Sequence, residues 1–348
     1  MHTSFPGRTV AALLVAAAVG IGSASADEVA DFYHGKTVTV TVPATAGGSF
    51  HLYGLIVAQH IGKFIPGQPA AVVQNRPGAG GVTMNNFFMK NAPKDGTIIG
   101  EINAGTVTMP LMRALPFDAR KFEWLGSVAV RTYVGALWHT VEADTIEKMQ
   151  QTEVIFGSAG TGALNYQVPA LMNIVLGTKY RIITGYGGGG DLNLAMERGE
   201  TQARGNYYTG FLATNGDWIR DKKLKFFFVM GPMLPELKGV PRLKDKITTE
   251  EGRQMLSLVE TGVDVGQAFF LPPDTVPARV AALRAAFVAM LKDPAFLTDA
   301  EKRKLDVIPR TYQEIDQVIA DAYKTPSAVA KKVAVALGFD KSAGGKKK

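Results

Sequence analysis

Few residues in this chain have the type and spacing to carry covalent chemistry. It contains no cysteine, which removes disulfides, thiolate nucleophiles and Cys-based metal sites. Its five histidines are His2, His34, His51, His60 and His139. His51 and His60 do not share a helix face well enough to ligate a metal, and no H-E-x-x-H is present. Ser158 sits in FGSAG, which lacks the full spacing of a G-x-S-x-G nucleophile elbow. The conspicuous feature is glycine, with 38 residues. Four glycine loops follow apolar strands: 45-TAGGS-49, 77-PGAGG-81, 158-SAGTG-162 and 186-YGGGG-190. Where a strand ends and a helix begins, unpaired backbone N–H groups and the positive end of the helix dipole hold anions. Glycine allows the close approach that such a cradle needs. Four such loops in one chain point to an anion cleft.

Phosphate is the first rival ligand. Gly80-Gly81 is followed by Val82-Thr83, not by the Lys-Ser/Thr of a phosphate loop, and no G-x-G-x-x-G opens the first helix. Asp191 directly follows the four glycines at 187–190, where it repels phosphate or caps a helix. A nucleotide is not expected.

These loops need elements to position them. TVTVTVPA (37–44) alternates as a strand, and LYGLIVAQHIGKFI (52–65) carries the apolar spacing of a helix. AAVVQN (70–75) and TIIGEIN (97–103) are further strands, with a helix between them through Met84–Met89. Strand, crossover helix and strand imply a parallel sheet. A second series starts near Arg131: strands at 132–139, 153–158, 180–186, 201–206 and 224–230, with helices after Gly162 and over 191–199. After Gly266 come a strand, a Pro-rich turn and a long helix, and a final helix over about 312–323. The fold class is therefore α/β, two domains, each a mostly parallel sheet flanked by helices. The expected division is 33–130 with 265–342 as a discontinuous first domain and 131–264 as the second.

At the N-terminus, Arg8, an apolar run and Ala24-Ser25-Ala26 read as a secretory signal peptide over 1–26, cleaved after Ala26. The run is short for a membrane span. The mature chain is expected to be soluble and exported to the periplasm. Net charge is +7, or +6 once Arg8 is removed. Much of it lies in the basic tail over 343–348, read as disordered, and in 302-KRK-304. There is no basic stripe interleaved with aromatics, so nucleic acid is not an expected partner. The overall positive field favours anionic ligands.

Read in order, VTVTVPATAGGSFH, VVQNRPGAGG, APKDGTIIG, GSAGTG, GYGGGGDLNLAMERGE and FFLPPDTVPARVAALRAAF resemble the signatures of the tripartite tricarboxylate transporter substrate-binding proteins, the TctC or Bug family. The resemblance runs from about 33 to 325. It implies a Venus-flytrap fold, two domains hinged by two crossovers, with a carboxylate-bearing metabolite between them and no catalysis. Family ligand contacts carry over to Thr45, Ala46, Gly47, Gly48 and Ser49 in the first domain. In the second they carry over to Ser158, Thr161, Gly162, Tyr186, Gly188 and Gly189. The implied partners are a small carboxylate ligand and membrane permease subunits, with a sensor kinase as the alternative recipient. A monomer is expected, with no cofactor and no metal.

Three departures from the family pattern bear on the ligand. His51 stands where members often carry Asp, which disfavours an ammonium-bearing ligand. Arg204 and Asn206 replace an apolar strand end and a small polar residue, and Arg204 offers a bidentate grip for a second carboxylate. Ala163 and Tyr166 replace the usual Thr and His of the next helix turn, while Phe50, Tyr207 and Tyr208 are candidates for an aromatic wall. A secreted hydrolase using Ser158 is the remaining rival.

Overall fold

A computed structural model of the chain describes His2 and residues 28–339. The signal-peptide reading of 1–26 and the basic tail of 343–348 lie outside those residues. Among the described residues, eleven strands form two sheets. The first has the order β11-β4-β10-β3-β1-β2, built from β1 (Thr37–Val42), β2 (Ala70–Asn75), β3 (Ile98–Glu101), β4 (Glu123–Ser127), β10 (Ala268–Leu271) and β11 (Arg310–Thr311). The second has the order β7-β6-β8-β5-β9, built from β5 (Tyr133–Trp138), β6 (Val154–Ser158), β7 (Tyr180–Thr184), β8 (Ala203–Tyr207) and β9 (Leu224–Met230).

The sheets are mixed, not mostly parallel. β1 runs parallel to β2 and β3, and β6 parallel to β7 and β8. These are the strands joined by crossover helices. β10 is antiparallel to β3 and β4, and β11 is antiparallel to β4. β5 is antiparallel to β8 and β9. The cause is connectivity. β5 and β10 are the first strands laid down after the chain changes sheets, so they enter from the opposite end.

Strand β1 shows why the elements form. Its threonines and valines alternate, and Val38, Val40 and Val42 are all buried. Helix α1 (Ser49–Ile61) then covers this face with Tyr53, Ile56 and Val57. The other helices that matter for the site are α2 (Val82–Lys90), α3 (Leu164–Val175), α4 (Gly189–Glu197), α5 (Tyr208–Arg220) and α6 (Glu250–Val265). Toward the C-terminus lie α7 (Pro277–Met290), α8 (Pro294–Lys302), α9 (Tyr312–Ala322) and α10 (Ser327–Ala336). The last of these extends the chain's helical content beyond the expected final helix. It packs on α3 and α6, so one apolar core runs continuously from the first sheet to the second.

The chain passes between the sheets twice, at 128–132 and at 266–267. The two passages are paired: Val128 N donates to Gln267 O at 2.9 Å, and Gln267 N donates to Ala129 O at 2.8 Å. Beneath them is a buried polar chain. Arg131 donates to the Gln267 side-chain carbonyl, and the Gln267 amide donates to Glu101. The Arg131 guanidinium also lies over the Tyr207 ring at 3.8 Å and the Tyr53 ring at 4.6 Å. Burial pushes the Glu101 carboxyl well above the usual range, and Arg131 opposes that shift.

Gly266 fixes the second passage. Its φ is +66°, and a Cβ there would stand 2.2 Å from the Ala129 carbonyl oxygen. Backbone cannot yield cheaply, so Gly266→Ala is expected to cost about 2–3 kcal/mol and lower the melting temperature by roughly 5 °C. A scanning-calorimetry trace unchanged by the substitution would contradict this reading of the second passage.

Candidate functional site

A cleft lies between the two sheets, where four helices begin. Its lining includes Ser49 and Phe50 from the start of α1, and Ala163, Leu164 and Asn165 from the start of α3. Gly188 and Gly189 open α4, and Asn206 and Tyr207 precede α5. None of these four helices has a side-chain N-cap hydrogen bond. Three have no acidic residue in the first turn; in α4 the exception is Asp191. Each bare helix start carries roughly +0.5 of an elementary charge. Four of them on one cleft make a strongly anion-seeking surface without a phosphate-loop motif.

The reason they converge is sheet geometry. α1, α3 and α5 follow the carboxyl ends of β1, β6 and β8, where open α/β sheets place ligands. The two sets of strand ends face each other, so the glycine loops meet in pairs. Loop 45–49 meets loop 186–190: Thr45 N donates to Gly187 O at 3.1 Å, and a Cβ on Gly48 would stand 3.0 Å from Gly189 N. Loop 77–81 meets loop 158–162: Gly162 N donates to Ala79 O at 3.3 Å, and a Cβ on Gly162 would stand 2.6 Å from Gly80 O. Glycine is thus used chiefly to let two backbones touch across the cleft. Asp191 belongs to the same seam. Its carboxylate accepts from Thr45 Oγ1 at 3.0 Å and from Gly187 N at 2.9 Å. That spends its charge on closure.

The expected site residues therefore separate. Ser49, Gly188, Gly189, Arg204 and Asn206 line the cleft. Thr45, Ala46, Gly47, Gly48 and Gly162 form or border the seams. Tyr186 points its hydroxyl toward Glu200 at 3.4 Å, and the Thr161 carbonyl accepts from Gln167 Nε2 at 3.1 Å. His51 is half-buried on α1, with Nδ1 unpartnered, and does not line the cleft. Phe50 and Tyr207 supply aromatic wall, whereas Tyr208 joins a separate core with Phe211. Ser158 is fully buried. Its hydroxyl donates to Asn165 Oδ1 at 3.0 Å and accepts from Gly160 N at 3.1 Å. It has no histidine or carboxylate partner among the described residues, so no base is placed to activate it.

Several lining residues were not singled out from the sequence. Asn165 is held by Ser158 and by Ala159 N at 3.1 Å, which fixes its oxygen inward and leaves its amide N–H groups for the cleft. Asn103 stands two residues beyond the end of β3 and was findable by the same strand-end rule that marked Thr45. Tyr133 was not: it starts β5, and its buried hydroxyl has no hydrogen-bond partner. Arg204 is only 2% exposed. Its Nη1 donates to Gly189 O at 2.7 Å and to Asn193 Oδ1. Burial pushes the guanidinium down to about 10, so it stays protonated at neutral pH.

Similarity to known proteins agrees with this architecture. The family model described as the tripartite tricarboxylate transporter family receptor, TctC, matches residues 56–335. A Cupriavidus necator protein named "UPF0065 protein in gbd 5'region" is 23% identical, covering 92% of this chain and 94% of that one. The structure of periplasmic binding protein BugD superposes with a TM-score of 0.67 at 20% identity, covering 86% of this chain and 97% of that one. The structure of MatC from Rhodopseudomonas palustris with bound malate gives 0.65 at 18% identity, covering 86% and 99%. Because the family model spans most of its length, the chain belongs to the TctC family of tripartite tricarboxylate transporter receptors.

Proposed function

We propose that the protein is a periplasmic solute-binding receptor that closes on a small organic carboxylate and presents it to the permease subunits of a tripartite tricarboxylate transporter. The reading rests chiefly on one observation: four uncapped helix starts and a buried guanidinium face a single cleft between two lobes. In the proposed division, 33–130 with 265–342 and 131–264 move as units about the two passages. The receptor works as a monomer, without catalysis and without a cofactor. Export of the mature chain rests on the signal-peptide reading of 1–26 and on family membership.

The mechanism follows from the geometry. An open cleft presents the starts of α1, α3, α4 and α5 to water. A carboxylate that enters replaces that water and receives charge-assisted N–H bonds, which are stronger than neutral ones. Because α1 belongs to one lobe and α3, α4 and α5 to the other, a ligand that touches both favours the closed state by its differential affinity. The glycine seams and the Thr45–Asp191 contact then shut the mouth. Ser158 serves the site indirectly, by holding Asn165 toward the cleft.

Isothermal titration against short mono- and dicarboxylates is expected to give saturable binding, with a matching rise in melting temperature. Silence across that panel would overturn the assignment. Closure has its own test. Gly162→Ala adds a methyl that meets Gly80 O, Ala79 O and Thr106 Cγ2, all across the seam on the first lobe, so the ligand-free melting temperature is expected to hold while affinity falls on the order of tenfold. Unchanged affinity would mean that the seam does not form in the bound state.

A further inference from the structure

Of the charged side chains buried among the described residues, Glu101, Arg131 and Arg204, only Arg204 lines the cleft. Its Nη1 donates to Gly189 O at 2.7 Å and to Asn193 Oδ1. Gly189 opens α4, so the guanidinium lies beside the positive end of a helix. Asn193 stands about one turn further along α4. It is 6% exposed and does not line the cleft.

The Asn193 carboxamide is held at both ends. A guanidinium offers only donors, so the oxygen must face Arg204. The amide faces α5, where Asn193 Nδ2 donates to Thr214 Oγ1 at 3.3 Å and to Asn215 Oδ1. Thr214 Oγ1 itself donates to Gly210 O at 2.8 Å, so it meets Asn193 as an acceptor. The arginine is thus aimed by a side chain whose own orientation is fixed.

Asparagine is not the residue that stability alone would select here. Aspartate has the same shape, forms a stronger charge-assisted bond to arginine and would relieve the cost of burying its charge. The other buried guanidinium does find a carboxyl at one remove: Arg131 meets the Gln267 carboxamide, and Gln267 passes the contact on to Glu101. The contact through Asn193 ends instead on a hydroxyl and a second carboxamide. Asp191, two residues earlier on α4, is committed to Thr45 Oγ1 and Gly187 N.

We propose that Asn193 is a positioning residue for the cleft, an uncharged acceptor that aims Arg204 without neutralising it. This rests on the receptor reading above and adds to it a residue that does not touch the ligand. The charge of Arg204 stays available to an incoming anion, and the helix start beside it acts in the same direction. Affinity is therefore set in part by what stands behind the cleft wall.

The test sets stability against affinity. Wild-type, Asn193→Asp and Asn193→Leu proteins are melted without ligand, then titrated calorimetrically with acetate, succinate and benzoate at pH 7.5. Asn193→Asp is expected to raise the ligand-free melting temperature by roughly 3 °C, because it pairs a buried charge. It is also expected to weaken the tightest-binding acid at least on the order of tenfold. A purely structural asparagine would move both quantities the same way. An Asp variant that binds as tightly as wild type, or that loses stability and affinity together, would overturn the inference and leave the carboxylate receptor standing. A second arm asks whether Asn193 acts through Arg204. Asn193→Leu is expected to cost affinity in the wild-type background, but no more than about twofold further in an Arg204→Met background. Additive losses would overturn the inference, and this arm decides alone if the Asp chain does not fold. Should none of the acids bind wild-type protein, the receptor reading falls and this inference with it.

Discussion

The structure turns on a set of N–H groups that the chain does not satisfy for itself. Every α-helix leaves its first four amides without an intrahelical partner. Most proteins answer them with a Ser, Thr, Asp or Asn cap, and this one does so elsewhere: Thr249 caps α6, and Thr311 closes a full capping box on α9. At the cleft it does not. Gly48, Ala163, Gly188 and Tyr207 occupy the cap positions of α1, α3, α4 and α5, and none of their side chains accepts the orphan bonds. α2, α7, α8 and α10 also lack a side-chain cap, so what sets these four apart is that they open on one cleft. A cap costs little to provide and stabilises a helix by about 1 kcal/mol. Tyr208 N at the start of α5 already donates to Thr132 O at 2.9 Å, so it is the remaining first-turn amides at the cleft that are left for something else to complete.

That constraint also explains the glycine distribution. A cavity completed by an outside group has to be enclosed, or water competes for the same donors. Enclosure needs the two lobes to touch around its rim, and side chains would hold them apart. Gly48 against Gly189, and Gly162 against Gly80, bring backbone to backbone. The two passages between the sheets are tied together instead by polar contacts. They are hydrogen-bonded to each other, and the Arg131–Gln267–Glu101 chain ties them to the end of β3. In the proposed receptor these ties restrict closure to a rotation about the two passages; Tyr207 stacks on Arg131 and forms cleft wall at once.

Much of this was legible in the sequence, for identifiable reasons. The parallel strands β1–β3 and β6–β8 announce themselves through alternation and through the glycine loops that follow them. Ser49, Gly188 and Gly189 could be placed at the cleft because the strand-end rule is geometric. The strands β10 and β11 were harder. Their antiparallel pairing depends on where the chain re-enters the first sheet, and no local pattern encodes that. Helix α5 carries Thr209, Gly210, Asn215 and Gly216, a poor helical composition, and it breaks its dihedrals at Asn215; burial of Phe211 and Trp218 overrides propensity there. Tyr133 lines the cleft only because β5 and β8 pair antiparallel. Ser158, conspicuous in sequence as a candidate nucleophile, proves to be a brace for Asn165.

The most direct measurement is a crystal structure of the protein with a bound short dicarboxylate. The account predicts both lobes closed, with ligand oxygens about 2.9 Å from first-turn amides of α1 and from those of α3, α4 or α5. An anion held by one lobe alone, or a shut cleft containing only water while the acid sits on the outer surface, would contradict it.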